Sequence, residues 1–409
     1  MKSYIEKIGA FAVTATVFLM PLIFIPGLRD CFVLPKVVLL RFSALVLFAG
    51  LLSRFRQIRV NGLSIAVMVY LLLRIITTVF STNPSISWEG RYLFYFEGTL
   101  QLLCFVIFYF AVGFVTAKQI YKSIALAAVL AATYGIIQYL NVDPIKWETY
   151  FGSIISTFGN PNFLAGWFVF VLPVLFYQAL KGRYLFLIPA VMGFISLVIA
   201  NVVAGFIALG ASAFFFILFC GKEMYSRARI KVFLTVLAVC MLFSGIFGLN
   251  RLDDPSVSSR IIGWKAAVKA VKRRPVLGFG PDTFADEVPK LLSVEYERVT
   301  KKNANPGYAH NIFLDHLFSS GVLGFLCFLW LLAEFFRRTK NPALKTAVFG
   351  GLIFGLFHFW TLEMWLCFWV FLALGQKPHW EISPNPPARA DEGEAFGGDT
   401  GLQQAKEVL

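Results

Sequence analysis

Long apolar runs recur along almost the whole of this 409-residue chain, and they leave few folds open to it. A run of about 18 residues or more is long enough to cross the hydrocarbon core of a bilayer as an α-helix. Hydrophobic residues make up 58% of the sequence and charged residues only 15%, which is unlike a soluble domain of this length. We therefore predict an all-α polytopic membrane protein. We place about 12 transmembrane helices, which begin near Ile8, Phe32, Leu63, Leu100, Ile120, Phe163, Tyr184, Val203, Val232, His310, Leu344 and Phe359.

The net charge of +14 is concentrated in alternate loops. Lysines and arginines fill one set of loops, whereas the other short loops hold only Arg29, Arg91 and Lys146. This is the positive-inside pattern of a multi-pass protein, and it predicts that both termini lie in the cytoplasm. The cytoplasmic loops of a membrane protein therefore explain the basic charge, and nucleic-acid binding is not needed to explain it.

The same topology divides the chain into a transmembrane region, residues 1–376, and a tail, residues 377–409. The tail is rich in proline, glycine and acidic residues, so we predict a disordered cytoplasmic segment. The largest outer loop, residues 250–309, lies between the ninth and tenth spans. Within it the stretch "SSRIIGWKAAVKAVKRRP" predicts an amphipathic helix that ends at Pro275 and lies against the outer face of the membrane.

Two residues of the outer face have the chemistry for transfer from a lipid pyrophosphate. Arg260 begins the predicted loop helix, and a guanidinium stays charged and donates in a plane that suits phosphate oxygens. His310 stands where the loop re-enters the membrane, and a histidine near its ordinary pKa accepts a proton from a hydroxyl. The alternatives are a lipid-headgroup contact for Arg260 and an interfacial capping role for His310. His316 is six residues further along the helix, on a different face, and we interpret it as structural.

Other polar residues accompany this pair. The stretch "TFGNPNFLAGW" supplies Asn160 and Asn162, of which Asn162 is predicted to cap the helix that follows. Asn311 follows His310 directly. Charged residues inside spans are functional candidates, which applies to Arg74, whereas Lys36 is predicted to extend to the membrane interface. The sequence contains no Walker loop, dinucleotide fingerprint, Cys-x-x-Cys pair or His-Glu-x-x-His helix, so we predict neither a cofactor nor a metal.

Three outer-face segments, taken in order, resemble the O-antigen ligase/polymerase superfamily. They are "TFGNPNFLAGW", "SSRIIGWKAAVKAVKRRPVLGFGPDTF" and "AHNIFLDHLFSSGVLGF". The pattern in the family is an arginine, a tryptophan, a Pro-x-x-Gly-x-Gly turn, a His-Asn pair at the next span and a Gly-x-x-Gly beyond it. The residues that match are Arg260, Trp264, Pro275, Gly278, Gly280, His310, Asn311, Gly321 and Gly324.

The resemblance implies an inverting, metal-independent glycosyltransferase of the GT-C type in the bacterial inner membrane. Its donor would be a glycan on undecaprenyl pyrophosphate at the periplasmic face. The resemblance also implies that Arg260 binds the pyrophosphate and that His310 activates the acceptor hydroxyl. The acceptor would be lipid A-core in a ligase, which we favour because the chain lacks an added soluble domain. It would be a growing glycan in a polymerase or a protein hydroxyl in a protein O-oligosaccharyltransferase.

One departure from the family affects the donor site. Family members often carry Ser-Arg-Gly at the outer start of a span, and this arginine is a second phosphate ligand. Here the aligned residues are Val203, Ala204 and Gly205. We predict that Arg74 or Arg91 compensates. A lipid-linked sugar transporter and a non-catalytic relative remain as alternatives of another class.

Overall fold

A computed structural model describes residues 2–54, 58, 60–147, 153–219, 238–239, 242, 255–300 and 307–376. Of residues 2–3, 219, 255–259 and 293–300 it describes the backbone only. Over these ranges the chain is helical and contains no strand, which confirms the all-α prediction. The helices are α1 (Lys2–Leu19), α2 (Leu34–Leu52), α3 (Gly62–Val79), α4 (Pro84–Glu89), α5 (Thr99–Ala111), α6 (Ala117–Tyr139), α7 (Pro161–Leu180), α8 (Leu187–Ala200), α9 (Val203–Phe219), α10 (Pro255–Arg273), α11 (Phe284–Thr300), α12 (Ile312–Arg338), α13 (Pro342–Gly355) and α14 (Leu362–Gly375).

The predicted spans that fall on described residues each overlap one of these helices. Five helices, α2, α3, α6, α7 and α12, are long and apolar enough to cross a membrane, and α5, α8, α9, α13 and α14 are shorter and apolar. The ninth predicted span, which begins near Val232, and the tail from residue 377 lie outside the described residues. The total of twelve spans stays a prediction.

Helix α7 lies at the centre of the bundle. Every residue from Leu164 to Leu175 is buried, as expected of a helix that is apolar all round. It contacts α8, α9, α13 and α14. Small residues permit the close approach of α13: a Cβ added at Gly351 would lie 2.1 Å from the ring of Phe170. Helix α14 lies equally close to α7, because a Cβ added at Gly166 would lie 2.2 Å from Cε of Met364.

Helix α10 of the outer loop rests on the bundle. It packs against α11 and α12 through an alanine face, in which Ala266, Ala267 and Ala270 are fully buried. Ile261 and Val268 are exposed on the other side. The predicted helix is confirmed, and its contact with the membrane surface stays a prediction. The structure adds that the opposite face of α10 is a protein contact.

Helix α12 is interrupted at Gly321, where φ is 61° and ψ is −165°. The interruption frees backbone groups that a continuous helix would pair. The N–H groups of Phe279 and Gly280 donate to the carbonyl oxygens of Phe318 and Ser319, at 2.9 and 3.0 Å. Peptide groups beyond the break are satisfied in the same way, because the N–H of residue 322 donates to the carbonyl oxygen of residue 275 at 2.7 Å.

We call this arrangement the helix clip: residues 275–280 bonded to residues 318–323 of α12. It explains the Pro-x-x-Gly-x-Gly turn. Gly278 has a φ of +70°, and a Cβ there would lie 2.4 Å from the carbonyl oxygen of Phe318. Only glycine fits both the left-handed backbone and this close approach. The turn is therefore a structural device that holds α12 to the loop on both sides of Gly321.

Candidate functional site

The outer loop brings Arg260 to the start of α12. Gly263, one helical turn after Arg260, lies against the residue before His310: a Cβ at Gly263 would be 3.5 Å from the carbonyl oxygen of Ala309. The guanidinium is also close enough for its charge to lower the pKa of His310. The two residues that the sequence singled out as a pair are thus neighbours in the structure. Arg260 is partly exposed.

His310 is held in a constrained, neutral state. Its φ is 54°, a left-handed conformation that costs a non-glycine residue about 1 kcal/mol or more. Burial lowers the pKa of His310 to about 4, and the charge of Arg260 lowers it further in the same direction. Its Nδ1 is buried and makes no hydrogen bond within the described part of the chain. At neutral pH this imidazole is uncharged and carries a lone pair that accepts a proton.

An aromatic cluster surrounds His310. Its ring lies 5.2 Å from the ring of His358, edge to face, and 5.2 Å from the ring of Phe359. Tyr308 packs on Phe359 at 4.5 Å. His358 is only 3% exposed, in the turn between α13 and α14, and it is not among the residues that the sequence singled out. The signal for it was slight: the chain has only four histidines, and this one precedes the last outer turn.

The asparagines are helix caps. Asn311 Oδ1 accepts hydrogen bonds from the N–H groups of Phe313 and Leu314, at 3.0 and 3.1 Å, and so caps α12. Asn160 caps α7, because its Oδ1 accepts from the N–H of Asn162 at 2.8 Å. The prediction that Asn162 is the cap was wrong by two residues. Pro161 has the φ of a first helical residue and no N–H to satisfy, so the helix starts there.

Arg74 is engaged inside the bundle. It is 2% exposed and forms an ion pair with Glu97 at 3.3 Å. Its Nη1 donates to the hydroxyls of Ser319 and Ser320, at 2.9 and 3.0 Å, immediately before the break in α12. These contacts join α3, the first outer loop and the helix clip. The structure therefore does not place Arg74 on the surface that Arg260 shares with His310.

Arg91 lies on the first outer loop and is half-buried. Its guanidinium forms an ion pair with Asp286 of α11. Its backbone N–H donates to Asp282 Oδ2 at 3.2 Å, and the hydroxyl of Tyr308 donates to Asp282 Oδ1 at 2.6 Å. Burial raises the pKa of Asp282 to about 6. Through this carboxyl, Arg91 is connected to the segment that leads into His310.

Two further predictions concern residues of the spans. His316 is structural, because its Nδ1–H donates to the carbonyl oxygen of Ile312 and its Nε2 accepts from the hydroxyl of Tyr70, both at 2.8 Å. Lys36 does not extend to the membrane interface, so that prediction was wrong. It is 2% exposed and forms a buried ion pair with Glu363 in the first turn of α14. Within the described ranges, no three His, Cys, Asp or Glu side chains are grouped as a metal site would require.

Fold and site together define a helical membrane protein whose outer loop sets an arginine beside a histidine at the start of a late span. Residues 188–329 match the family model described as O-antigen ligase. Over this segment the match confirms the resemblance to the O-antigen ligase superfamily, and the segment contains Arg260, His310 and the helix clip. The match supports a role in glycan transfer of the ligase/polymerase kind. Comparison with curated proteins gives no match.

Proposed function

We propose that this protein transfers a glycan from undecaprenyl pyrophosphate to a hydroxyl of lipid A-core at the periplasmic face of the bacterial inner membrane. The observation that carries the proposal is the juxtaposition of Arg260 with a neutral, buried His310 at one end of the helical bundle. A fixed cation beside a proton acceptor is what displacement of a sugar from a pyrophosphate needs. The reaction is metal-independent in this proposal.

In the proposed reaction His310 takes the proton from the acceptor hydroxyl. The hydroxyl oxygen forms a bond to the anomeric carbon while the bond from that carbon to the phosphate oxygen breaks. The electron pair leaves on the pyrophosphate, where Arg260 stabilises the added negative charge. Attack opposite to the leaving group inverts the anomeric configuration. Asn311, which caps α12, fixes the backbone beside His310, and Asn160 caps α7 at the neighbouring helix start.

Arg91 is the better candidate for the second phosphate ligand that the family motif lacks here. Its side chain is 24% exposed, whereas that of Arg74 is 2% exposed and bonded to Glu97 and two serines. Arg91 would exchange its ion pair with Asp286 for a phosphate oxygen when the donor binds. If glycan transfer survived replacement of both Arg74 and Arg91 by alanine, the compensation proposal would be wrong.

The experiment that tests the function is reconstitution in proteoliposomes with a lipid-linked oligosaccharide and lipid A-core. Native protein should give a glycosylated lipid A-core product, and Arg260→Ala and His310→Ala should each abolish most of it. Lys265→Ala, an exposed position on the same helix as Arg260, is the matched control and should stay active. A ladder of longer glycans would instead support a polymerase, and transfer to a protein hydroxyl an O-oligosaccharyltransferase. No transfer to any acceptor would falsify the enzyme proposal and favour a lipid-linked sugar transporter or a non-catalytic relative.

A further inference from the structure

His358 is a second buried histidine beside His310, and its surroundings fix its ring. Four aromatic or imidazole rings pack around it: Phe359 at 4.4 Å, His310 at 5.2 Å, Phe354 at 5.6 Å and Phe163 at 5.7 Å. Phe163 lies in the first turn of α7, so His358 joins three helix ends at the site. A polar ring so deeply enclosed needs its hydrogen-bonding groups to be used.

The tautomer of His358 follows from one contact. Its Nδ1 lies 2.9 Å from the carbonyl oxygen of Phe359. A carbonyl oxygen only accepts, so Nδ1 carries the hydrogen and donates it. In the neutral ring, the lone pair is therefore on Nε2. Burial lowers the pKa of His358, and the charge of Arg260 acts in the same direction, which keeps that lone pair unprotonated.

His310, in turn, needs a hydrogen-bond acceptor for its Nδ1–H. If its Nε2 is to take a proton from a hydroxyl, its Nδ1 must already carry the other hydrogen. That Nδ1 is buried, and it meets no acceptor within the described residues. The centroid of the His358 ring lies 5.2 Å from that of the His310 ring, and its Nε2 is an acceptor. The two rings stand at 81°, so the hydrogen bond requires the His310 ring to rotate about its Cβ–Cγ bond, which is soft in histidine.

We infer that His358 is a positioning residue for His310, whose Nδ1–H it accepts when substrate is bound. The result is a relay of hydrogen bonds from the acceptor hydroxyl to His310, then to His358, then to the carbonyl oxygen of Phe359. The relay selects the tautomer of His310 that leaves Nε2 free, and it stabilises the imidazolium after the proton has moved. Catalytic hydrogen bonds of this kind commonly tighten only in the substrate complex. The inference rests on the proposed function, in which His310 is the base.

Two substitutions separate positioning from packing. His358→Phe keeps an aromatic ring of similar size and removes the acceptor, so kcat should fall on the order of 10²-fold while KM for the donor stays unchanged. His358→Gln supplies an acceptor oxygen from a flexible chain and should recover most of that loss. Equal kcat in His358→Phe and the native protein would overturn the inference. So would equal losses in the two variants when both melt at the native temperature.

NMR spectroscopy tests the predicted tautomer of His310 without turnover. The chain has four histidines, so ¹⁵N-histidine labelling in nanodiscs gives signals that single substitutions assign. With the lipid-linked oligosaccharide bound and no acceptor present, the Nδ1–H form of His310 should predominate in the native protein and lose that preference in His358→Phe. A predominant Nε2–H form in the native protein under the same conditions would refute the positioning role. If native protein transfers no glycan but His310 shows the expected tautomer shift, the proposed function fails and the contact between the histidines stands.

Discussion

The pKa of His310 depends on a charge that the donor itself would neutralise. Burial is the larger cause of the value of about 4, and Arg260 is the second. A bound pyrophosphate would compensate the guanidinium and so raise the pKa of His310 from that value. The base would thus become stronger when the donor arrives. This would follow from the placement of the proposed base beside the proposed phosphate ligand.

This coupling predicts two different pH dependences. A base works only above its pKa, and kcat/KM reports the free protein whereas kcat reports the substrate complex. The acidic limb of kcat/KM for the donor should therefore lie near pH 4, and that of kcat should lie at higher pH. Steady-state rates in proteoliposomes between pH 3.5 and about 8 measure both. Coincident limbs would contradict the coupling.

The buried pair of Arg74 and Glu97 predicts a stability defect that must be kept apart from catalysis. Arg74→Ala leaves the carboxylate of Glu97 and two serine hydroxyls without their cation. Loss of one partner of a buried pair costs about 3–5 kcal/mol, so the melting temperature should fall markedly. Arg74→Met combined with Glu97→Gln should recover much of the lost melting temperature, because no charge is left unpaired. A single variant as stable as the native protein would show that the pair contributes nothing.

Single residues also show where sequence reasoning fell short. The proximity of Arg260 to His310 followed from a family pattern and was predictable. His358 was not, because a lone histidine near a turn carries no signal until the fold sets it against another. Lys36 was misread for the same reason: its partner Glu363 is 327 positions away along the chain. Whether two residues distant in sequence are buried against each other depends on how the helices pack, and the local sequence around each residue does not show it.

At the scale of elements, the helices were largely predictable and their interruptions were not. Apolar length located the helices of the predicted spans, because a lipid-facing backbone must bond within its own segment. The amphipathic pattern located α10, and α4 and α11 were not predicted. The break in α12 depends on bonds to a turn about forty residues earlier, which no local pattern specifies. The glycines of the turn and of α12 were visible in the sequence, but the hydrogen bonds between these two segments were not.

The helix clip predicts a specific sensitivity to an added methyl group. Gly278→Ala places a Cβ 2.4 Å from the carbonyl oxygen of Phe318 and should destabilise the protein strongly. Gly182→Ala is the matched control, since Gly182 also has positive φ, +83°, but nothing within 4 Å of its added Cβ. The control should cost only the conformational penalty of about 1–2 kcal/mol. Thermal unfolding in detergent compares the two variants. Equal losses of stability would mean that the close contact in the helix clip does not stabilise the protein.

At the scale of the whole molecule, α12 sets which groups share an end of the bundle. Its 27 residues separate His310 at one end from Lys340 at the other. The charge pattern further predicts that the end with His310 is periplasmic.

Cysteine labelling tests that orientation. In intact spheroplasts, a membrane-impermeant maleimide should label Lys272→Cys on α10 and leave Lys340→Cys unlabelled. Both positions are exposed in the structure. Permeabilised cells provide the control and should label both. Labelling of Lys340→Cys alone in intact cells would reverse the proposed topology.

The helix clip also ties the loop to α12 on both sides of the interruption at Gly321. The carbonyl oxygens of residues 318 and 319 accept from the loop before the break, and the N–H groups of residues 322 and 323 donate to it beyond the break. A membrane-spanning helix tilts when bilayer thickness changes. Because the loop is bonded to both parts of α12, the loop that carries Arg260 would move together with this helix. The spacing between His310 and Arg260 would then be the same in thin and thick membranes.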